Sequence, residues 1–269
     1  MKTAVIAIGR GENLYAREFV QHYKNLGFTN VIIVDNNYGD EERFDDVLQD
    51  YIDDGFVIIE RGWRGRMKCQ MQAYTYLYWK YKNDYDWIAF FDFDEFLICH
   101  KHYNIEAFLS EFPDDAQVVL VNWMIMNDNG LITYDPRPLM ERFTTPMPID
   151  RPVQYDFPDN CHIKSILRGG MDGIKFVGNP HTTANNLKAY TSTGIPTNNH
   201  PFQNIDYRTA YLMHFITKTA EEYMYKLRRG VPTDYHEDFL KVYAGRFFKY
   251  NEMTEEKVRF FEERGFKGV

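Results

Sequence analysis

The chain has 269 residues and a mass of 32.1 kDa, with 44% hydrophobic and 26% charged residues. These figures exclude collagen-like, low-complexity and disordered classes and leave one large domain or two small ones. Against 39 Asp plus Glu there are 31 Lys plus Arg, a formal charge of -8, so a phosphate backbone is repelled overall and no nucleic-acid partner is expected.

The chain opens on Met1-Lys2-Thr3 and passes straight into the apolar run Ala4 to Ile8. That run is too short for a signal-peptide core and no small-residue cleavage site follows it, so the expected setting is cytoplasmic. Four more runs follow: Val31 to Val34, Phe56 to Ile59, Trp87 to Phe91 and Val118 to Val121. Their starts lie about 25 to 31 residues apart, the length of one strand-helix-strand unit. Between the first two, Leu14, Phe19, Tyr23 and Leu26 recur at near-helical spacing and Gly27 marks a stop; between the third and fourth, Met71, Tyr74, Tyr78 and Tyr81 do the same. Continuous Val/Ile/Phe runs predict strands buried on both faces, hence an α/β fold with a Rossmann-like, mainly parallel sheet flanked by helices in a single domain.

From Pro136 to His200 the sequence is rich in Pro, Gly, Asn and Thr without sustained periodicity, and is read as loops of the same domain. A Thr219-x-x-Glu222 capping box starts a helix from Ala220 to Arg229, with Gly230 and Pro232 past its end. The stretch from Tyr235 to Phe266 is helical in pattern, with Phe239, Val242, Tyr243 and Phe247 on one stripe and a second start at Thr254. No stretch approaches the roughly 18 apolar residues that span a bilayer. Basic clusters at Arg61 to Lys68 and Lys226 to Arg229 nevertheless leave a peripheral contact with the inner face of a membrane open. Cys69, Cys99 and Cys161, odd in number and with no CxxC pair, are read as reduced and structural.

In a parallel sheet, ligands bind beyond the carboxyl ends of the strands. There the sequence places Gly9-Arg10-Gly11-Glu12, Asp35-Asn36-Asn37, Glu60-Arg61-Gly62-Trp63, Asp92-Phe93-Asp94-Glu95, and Asn122-Trp123 leading to Asn127-Asp128-Asn129. Neither a complete GxGxxG nor a GxxxxGK[ST] loop is present, which excludes a dinucleotide fingerprint and a P-loop. Alternation along an extended segment would turn Asp92 and Asp94 to one side and Phe93 into the core. Two convergent carboxylates suit Mn²⁺ or Mg²⁺, which neutralises the charge growing on a departing diphosphate. The competing reading is an acidic helix N-terminus, with Glu95 as a helix-start charge.

The stretch Trp87 to Leu97 resembles the DxDEF segment of glycosyltransferases with the GT-A fold, in particular those related to families 2 and 92. Ala4 to Asn13, Val34-Asp35-Asn36-Asn37, Lys164-Ser165-Ile166-Leu167-Arg168 and the block from His214 to Tyr223 resemble further family segments in the same order. The resemblance implies a GT-A domain over residues 1–232, with a nucleotide-sugar half at 1–123, an acceptor side at 124–232 and a helical extension at 233–269. It implies a nucleotide-diphosphate sugar, UDP-sugar favoured, and a glycan or lipid-linked acceptor of surface polysaccharide synthesis, with inverting transfer. Arg10, Glu12 and Asp35 would hold base and ribose. Asp92 would reach the ribose or metal-bound water, and Asp94 would bind the metal. A late histidine would complete the metal shell, His181 from its loop setting in preference to His214.

Lys218, at a helix N-terminus, is placed to receive a departing diphosphate. An in-line displacement needs a base, for which Asp128 is the first candidate, with Glu141 and Asp156 competing. Trp123 beside Asn127-Asp128-Asn129 would offer an aromatic face to a sugar, although Asn127-Asp128-Asn129-Gly130 also reads as a plain turn. Two rivals are a haloacid-dehalogenase-type phosphotransferase, whose DxD follows the first strand of its unit, and a carbohydrate-binding protein without turnover.

Overall fold

The structure, a computed structural model, describes residues 1–39, 41–148, 158–229 and 239–266. All five apolar runs are strands. β1 (Thr3–Gly9), β2 (Asn30–Asp35), β3 (Val57–Glu60) and β4 (Trp87–Phe90) pair in parallel in the order β3-β2-β1-β4. β1 and β4 are buried at every position, as two-sided coverage requires of such runs. The intervening helices are α1 (Asn13–Asn25), α2 (Asp45–Asp53) and α3 (Gln70–Tyr81). α1 buries Tyr15, Ala16, Phe19, Val20 and Tyr23, while Leu14 faces water, so the apolar stripe begins one residue later than the sequence spacing predicts. Gly27 ends this helix at φ +83, a left-handed conformation that glycine adopts without steric cost.

After β4 come β5 (Glu95–Cys99), α4 (Ile105–Leu109), β6 (Val118–Ile125) and α5 (Leu139–Arg142). Then follow β7 (Ile163–Arg168), β8 (Ala189–Thr191), β9 (Pro196–Thr197) and β10 (Ala210–His214), and finally α6 (Ala220–Arg229), α7 (Phe239–Tyr250) and α8 (Glu255–Glu262). The main sheet order is β3-β2-β1-β4-β7-β6-β10-β5. Two expectations change here. Residues 136–200 are more than loops, because β7 lies within them and enters the middle of the sheet. The fifth run, β6, shares the direction of β4 but does not pair with it, since β7 stands between them and is antiparallel to both.

The chain divides into two compact units. The first holds Met1–Trp123 and Asn160–Leu212, the second Met124–Asp159 and Met213–Val269. The first is centred on Ile6, Ile32, Phe90, Leu120 and Leu167, packed against Tyr74 and Tyr78 of α3. In the second, Tyr223, Met224 and Leu227 of α6 pack on Phe247, Phe248 and Phe261 of the C-terminal helices. Gly230, Pro232 and Asp156 lie outside the described residues.

Candidate functional site

Within the first unit the carboxyl ends of β1, β2 and β4 face one edge. Gly9 pairs with Asp35 in register, and β7 enters antiparallel so that Lys164, near its start, stands level with Val121 of β6. Asp92-Phe93-Asp94 follows β4 there as a turn rather than an extended segment, closed by a bond from the Glu95 N–H to the Asp92 carbonyl at 3.0 Å. Phe93 does enter the core, stacking on Phe44 with ring centres 5.3 Å apart. Glu95 starts a strand and is fully buried, which removes the helix-start reading of this acidic run.

The charges are arranged around one fully buried ammonium. Lys164 Nζ lies 2.6 Å from Asp92 Oδ2 and 3.4 Å from Glu95 Oε2. Asp92 Oδ1 accepts from Gln70 Nε2 at 3.0 Å and Tyr74 Oη at 3.2 Å, both presented by α3. Glu95 accepts from the Asp92 N–H and from the Trp123 indole N–H, at 2.9 and 2.8 Å. Burial pushes Glu95 up to about 8, against the pull of Lys164. Burial works against the Lys164 charge, but the Asp92 and Glu95 carboxylates outweigh it and hold the ammonium above its ordinary range. Asp94 is buried beside this group, and its charge is felt at both Glu95 and Lys164.

A second polar corner follows β2. Asp35 is buried; its Oδ1 accepts from the Asn37 backbone and side-chain N–H groups at 3.0 and 2.9 Å, and its Oδ2 meets Arg64 Nη1 at 2.5 Å. Arg64 also donates to the Gly39 carbonyl. The Arg10 guanidinium lies over the Tyr38 ring, 3.9 Å from its centre, and bonds Glu41. Asn37 Oδ1 receives the Gly11 N–H at 2.8 Å and so ties the turns after β1 and β2 together. Glu12 is buried just before α1, and its carbonyl accepts the first N–H groups of that helix.

His181 bonds the Ile163 carbonyl through Nδ1 at 2.9 Å, and its ring sits against Trp123 and His162, with centres 5.0 and 5.4 Å away. Trp123 is itself buried and stacks on His162 at 4.9 Å, so the expectation of an indole face open to a sugar is corrected: the indole is a packing and hydrogen-bonding group for Glu95. Among the described residues, no three His, Cys, Asp or Glu side chains converge as a metal cage. Within the first unit, Asp92, Asp94 and His181 are therefore not gathered into one ready-made shell.

The remaining candidates belong to the second unit. Asp128 is buried in the turn reading: its Oδ1 accepts the Gly130 N–H at 2.9 Å, and Lys257 Nζ of α8 lies 2.6 Å from its Oδ2. As a base it would have to surrender that ion pair, which is a physical argument against the role. Glu141 is exposed on α5. The His214 carbonyl accepts the Met126 N–H, and the ring is buried. Lys218 is buried at φ +56, ahead of the capping box in which Thr219 and Glu222 bond reciprocally. Glu222 also carries a bidentate Arg142 pair at 2.9 and 3.0 Å.

Sequence reasoning missed Gln70, Tyr74 and Arg64, which carry no local signal. Lys164 had one: a lysine inside the apolar stretch Ile163 to Leu167 requires a buried carboxylate.

Residues 9–142 match the family model of glycosyltransferase family 92. No curated protein matches the chain. Among solved structures it is similar to S. aureus TarS 1-349 in complex with UDP, at 15% identity and TM-score 0.36 over 49% of this chain and 38% of that one. With S. aureus TarS 1-349 the figures are 12% and 0.44 over 97% and 72%. The chain thus spans less than two-fifths of the UDP-bound TarS fragment it matches.

Proposed function

We propose, from the match of residues 9–142 to the family model of glycosyltransferase family 92, that the chain moves a sugar from a nucleotide-diphosphate donor to a hydroxyl of a glycan or lipid-linked acceptor, with inversion, in surface polysaccharide synthesis. The observation that carries this reading is the carboxylate centre at the end of β4, where Asp92 and Glu95 share the buried Lys164 ammonium and the adjacent Asp94 is buried as well. It lies on the sheet edge where a parallel sheet binds ligands. The neighbouring corner supplies both polarities that a nucleoside needs. Asp35 accepts from ribose hydroxyls, Arg64 donates, and the Arg10–Tyr38 stack offers a flat face beside a base.

The donor set suits Mn²⁺ or Mg²⁺. Both ions take oxygen ligands and bind through one or two carboxylates, leaving other positions to water and phosphate oxygens, so the lack of a three-residue cage among the described residues is compatible with them. Asp94 and the partly exposed Asp92 would hold the ion, whose chemistry is to neutralise charge on the departing diphosphate. Lys164, Gln70 and Tyr74 fix the direction of the Asp92 carboxylate. Lys164 also lowers the repulsion among three adjacent carboxylates, which otherwise opposes the approach of a diphosphate.

Calorimetry with UDP and GDP, in Mn²⁺ and then in EDTA, tests the reading. Binding in Mn²⁺ that falls at least ten-fold in EDTA, with most of the difference gone in Asp94→Asn, is the expected result. Equal affinity in both removes the metal; absence of binding to either nucleotide, with no hydrolysis of UDP- or GDP-sugars, removes the donor.

A further inference from the structure

Helix α3 has two faces. The inner one holds Gln70 and Tyr74 on Asp92. The outer one, with residues 171–177, forms an apolar groove of about 580 Å³ whose lining includes Met71, Tyr76, Trp79, Lys82, Lys175 and Val177. The groove is held open by its own walls: the Phe176 N–H donates to Thr75 Oγ1 at 2.9 Å, and the Phe176 ring packs on Tyr74 and Phe90 with centres 5.5 and 4.7 Å apart.

Its rim stands in water. Trp79 is 66% exposed, Val177 61% and Tyr76 45%. From Trp79 the aromatic line continues through Tyr76 to Trp63, at 5.9 and 6.0 Å between centres, and the Arg66 guanidinium lies 5.0 Å over Trp63. Along this face, Lys82 is mostly covered and neutralised by its pair with Asp172, and the exposed Arg66 and Lys175 add positive charge beyond that pair. A chain of net charge -8 therefore turns a locally positive, aromatic and apolar face outward. Exposed Trp and Tyr beside Lys and Arg, around aliphatic side chains, match the chemistry of the interfacial region of a bilayer.

We propose that this face docks on an anionic phospholipid bilayer. Trp79, Tyr76 and Val177 enter the headgroup region, and the exposed Lys175 and Arg66 meet the lipid phosphates. Charge selects this occupant over a second copy of the chain, since two positive faces repel. The proposal does not depend on the glycosyl-transfer reading, because lipid binding is measured without any donor.

The test is flotation of the full chain with phosphatidylcholine vesicles, alone and mixed with phosphatidylglycerol, together with tryptophan emission. Trp63, Trp87 and Trp123 are buried, so a blue shift on binding reports Trp79, and Trp79→Phe should bind but lose the shift. Expected results are binding to the mixed vesicles that weakens in high salt, about five-fold weaker binding in Lys175→Gln, and roughly ten-fold weaker binding in Trp79→Ala. Both substitutions are at the surface, and circular dichroism checks their fold. Equal flotation with neutral vesicles, no blue shift, or undiminished binding in both variants overturns the proposal. So does concentration-dependent self-association that Trp79→Ala abolishes, which would give the face to a second copy.

Discussion

At Lys164, two carboxylates, those of Asp92 and Glu95, meet one fully buried ammonium. Such a group persists only because Asp92 lies 2.6 Å away and Glu95 3.4 Å away; removing one partner of a buried pair leaves an uncompensated charge costing about 3–5 kcal/mol. Lys164→Met should lower the stability of the chain by about that amount in urea unfolding followed by tryptophan emission. Lys164→Met combined with Asp92→Asn should lose less than Lys164→Met alone, because the second change removes the charge left without its ammonium, whereas Glu95, already raised by burial, is neutralised by a proton once Lys164 is gone. An unchanged midpoint in Lys164→Met would show that the ammonium contributes nothing to the fold. The carboxylates were legible as a motif because they are adjacent in sequence. Their counter-charge lies 72 residues from Asp92 and could be assigned only once β7 was seen to enter beside β4.

Among the elements, α8 and the turn after β6 are coupled by a pair that neither segment announces. Thr254 caps α8 through the Lys257 N–H, as its sequence start implies, and Asn129 and Gly130 take positive φ in the turn. Local rules cannot show that Lys257 then reaches Asp128 at 2.6 Å, or that the Asn251 side chain receives the Asp128 N–H at 2.6 Å. Asp128→Asn should therefore destabilise the chain by about 3–5 kcal/mol, and Lys257→Met similarly, with the double variant losing less than the sum of the two. Circular dichroism in urea gives the measurement. Asp128→Asn with an unchanged midpoint and lost glycosyl transfer would instead restore Asp128 as the base. The capping box of α6 was readable because its two residues are three apart, whereas the Arg142 pair on the same Glu222 spans 80 residues.

Across the whole chain, the decisive event is the return of β7 into the sheet. It is made at Gly169, where a Cβ would sit 1.9 Å from the Tyr85 carbonyl oxygen and 2.7 Å from that of Lys82, both backbone atoms that cannot step aside. Gly169→Ala should fail to accumulate as folded protein. Gly170→Ala, at φ +72 but with open space around its Cβ, should fold with a loss of about 1 kcal/mol. Soluble yield and thermal midpoint separate the two, and a fully stable Gly169→Ala would show that the β4–β7 junction is looser than the structure has it.

By itself the sequence determined the five strands, the helix stop at Gly27, the α6 cap, the second helical start at Thr254 and the acidic motif that marks the candidate site, though not its turn conformation. Each depends on residues a few positions apart, where periodicity, capping and turn chemistry act. Tertiary structure decided that β7 separates β4 from β6, that Lys164 neutralises the carboxylates, that Trp123 is buried, and that Asp128 is tied to Lys257. Those outcomes depend on partners tens of residues away, and the exclusion of water that makes such charge pairs compulsory arises only after the chain has packed.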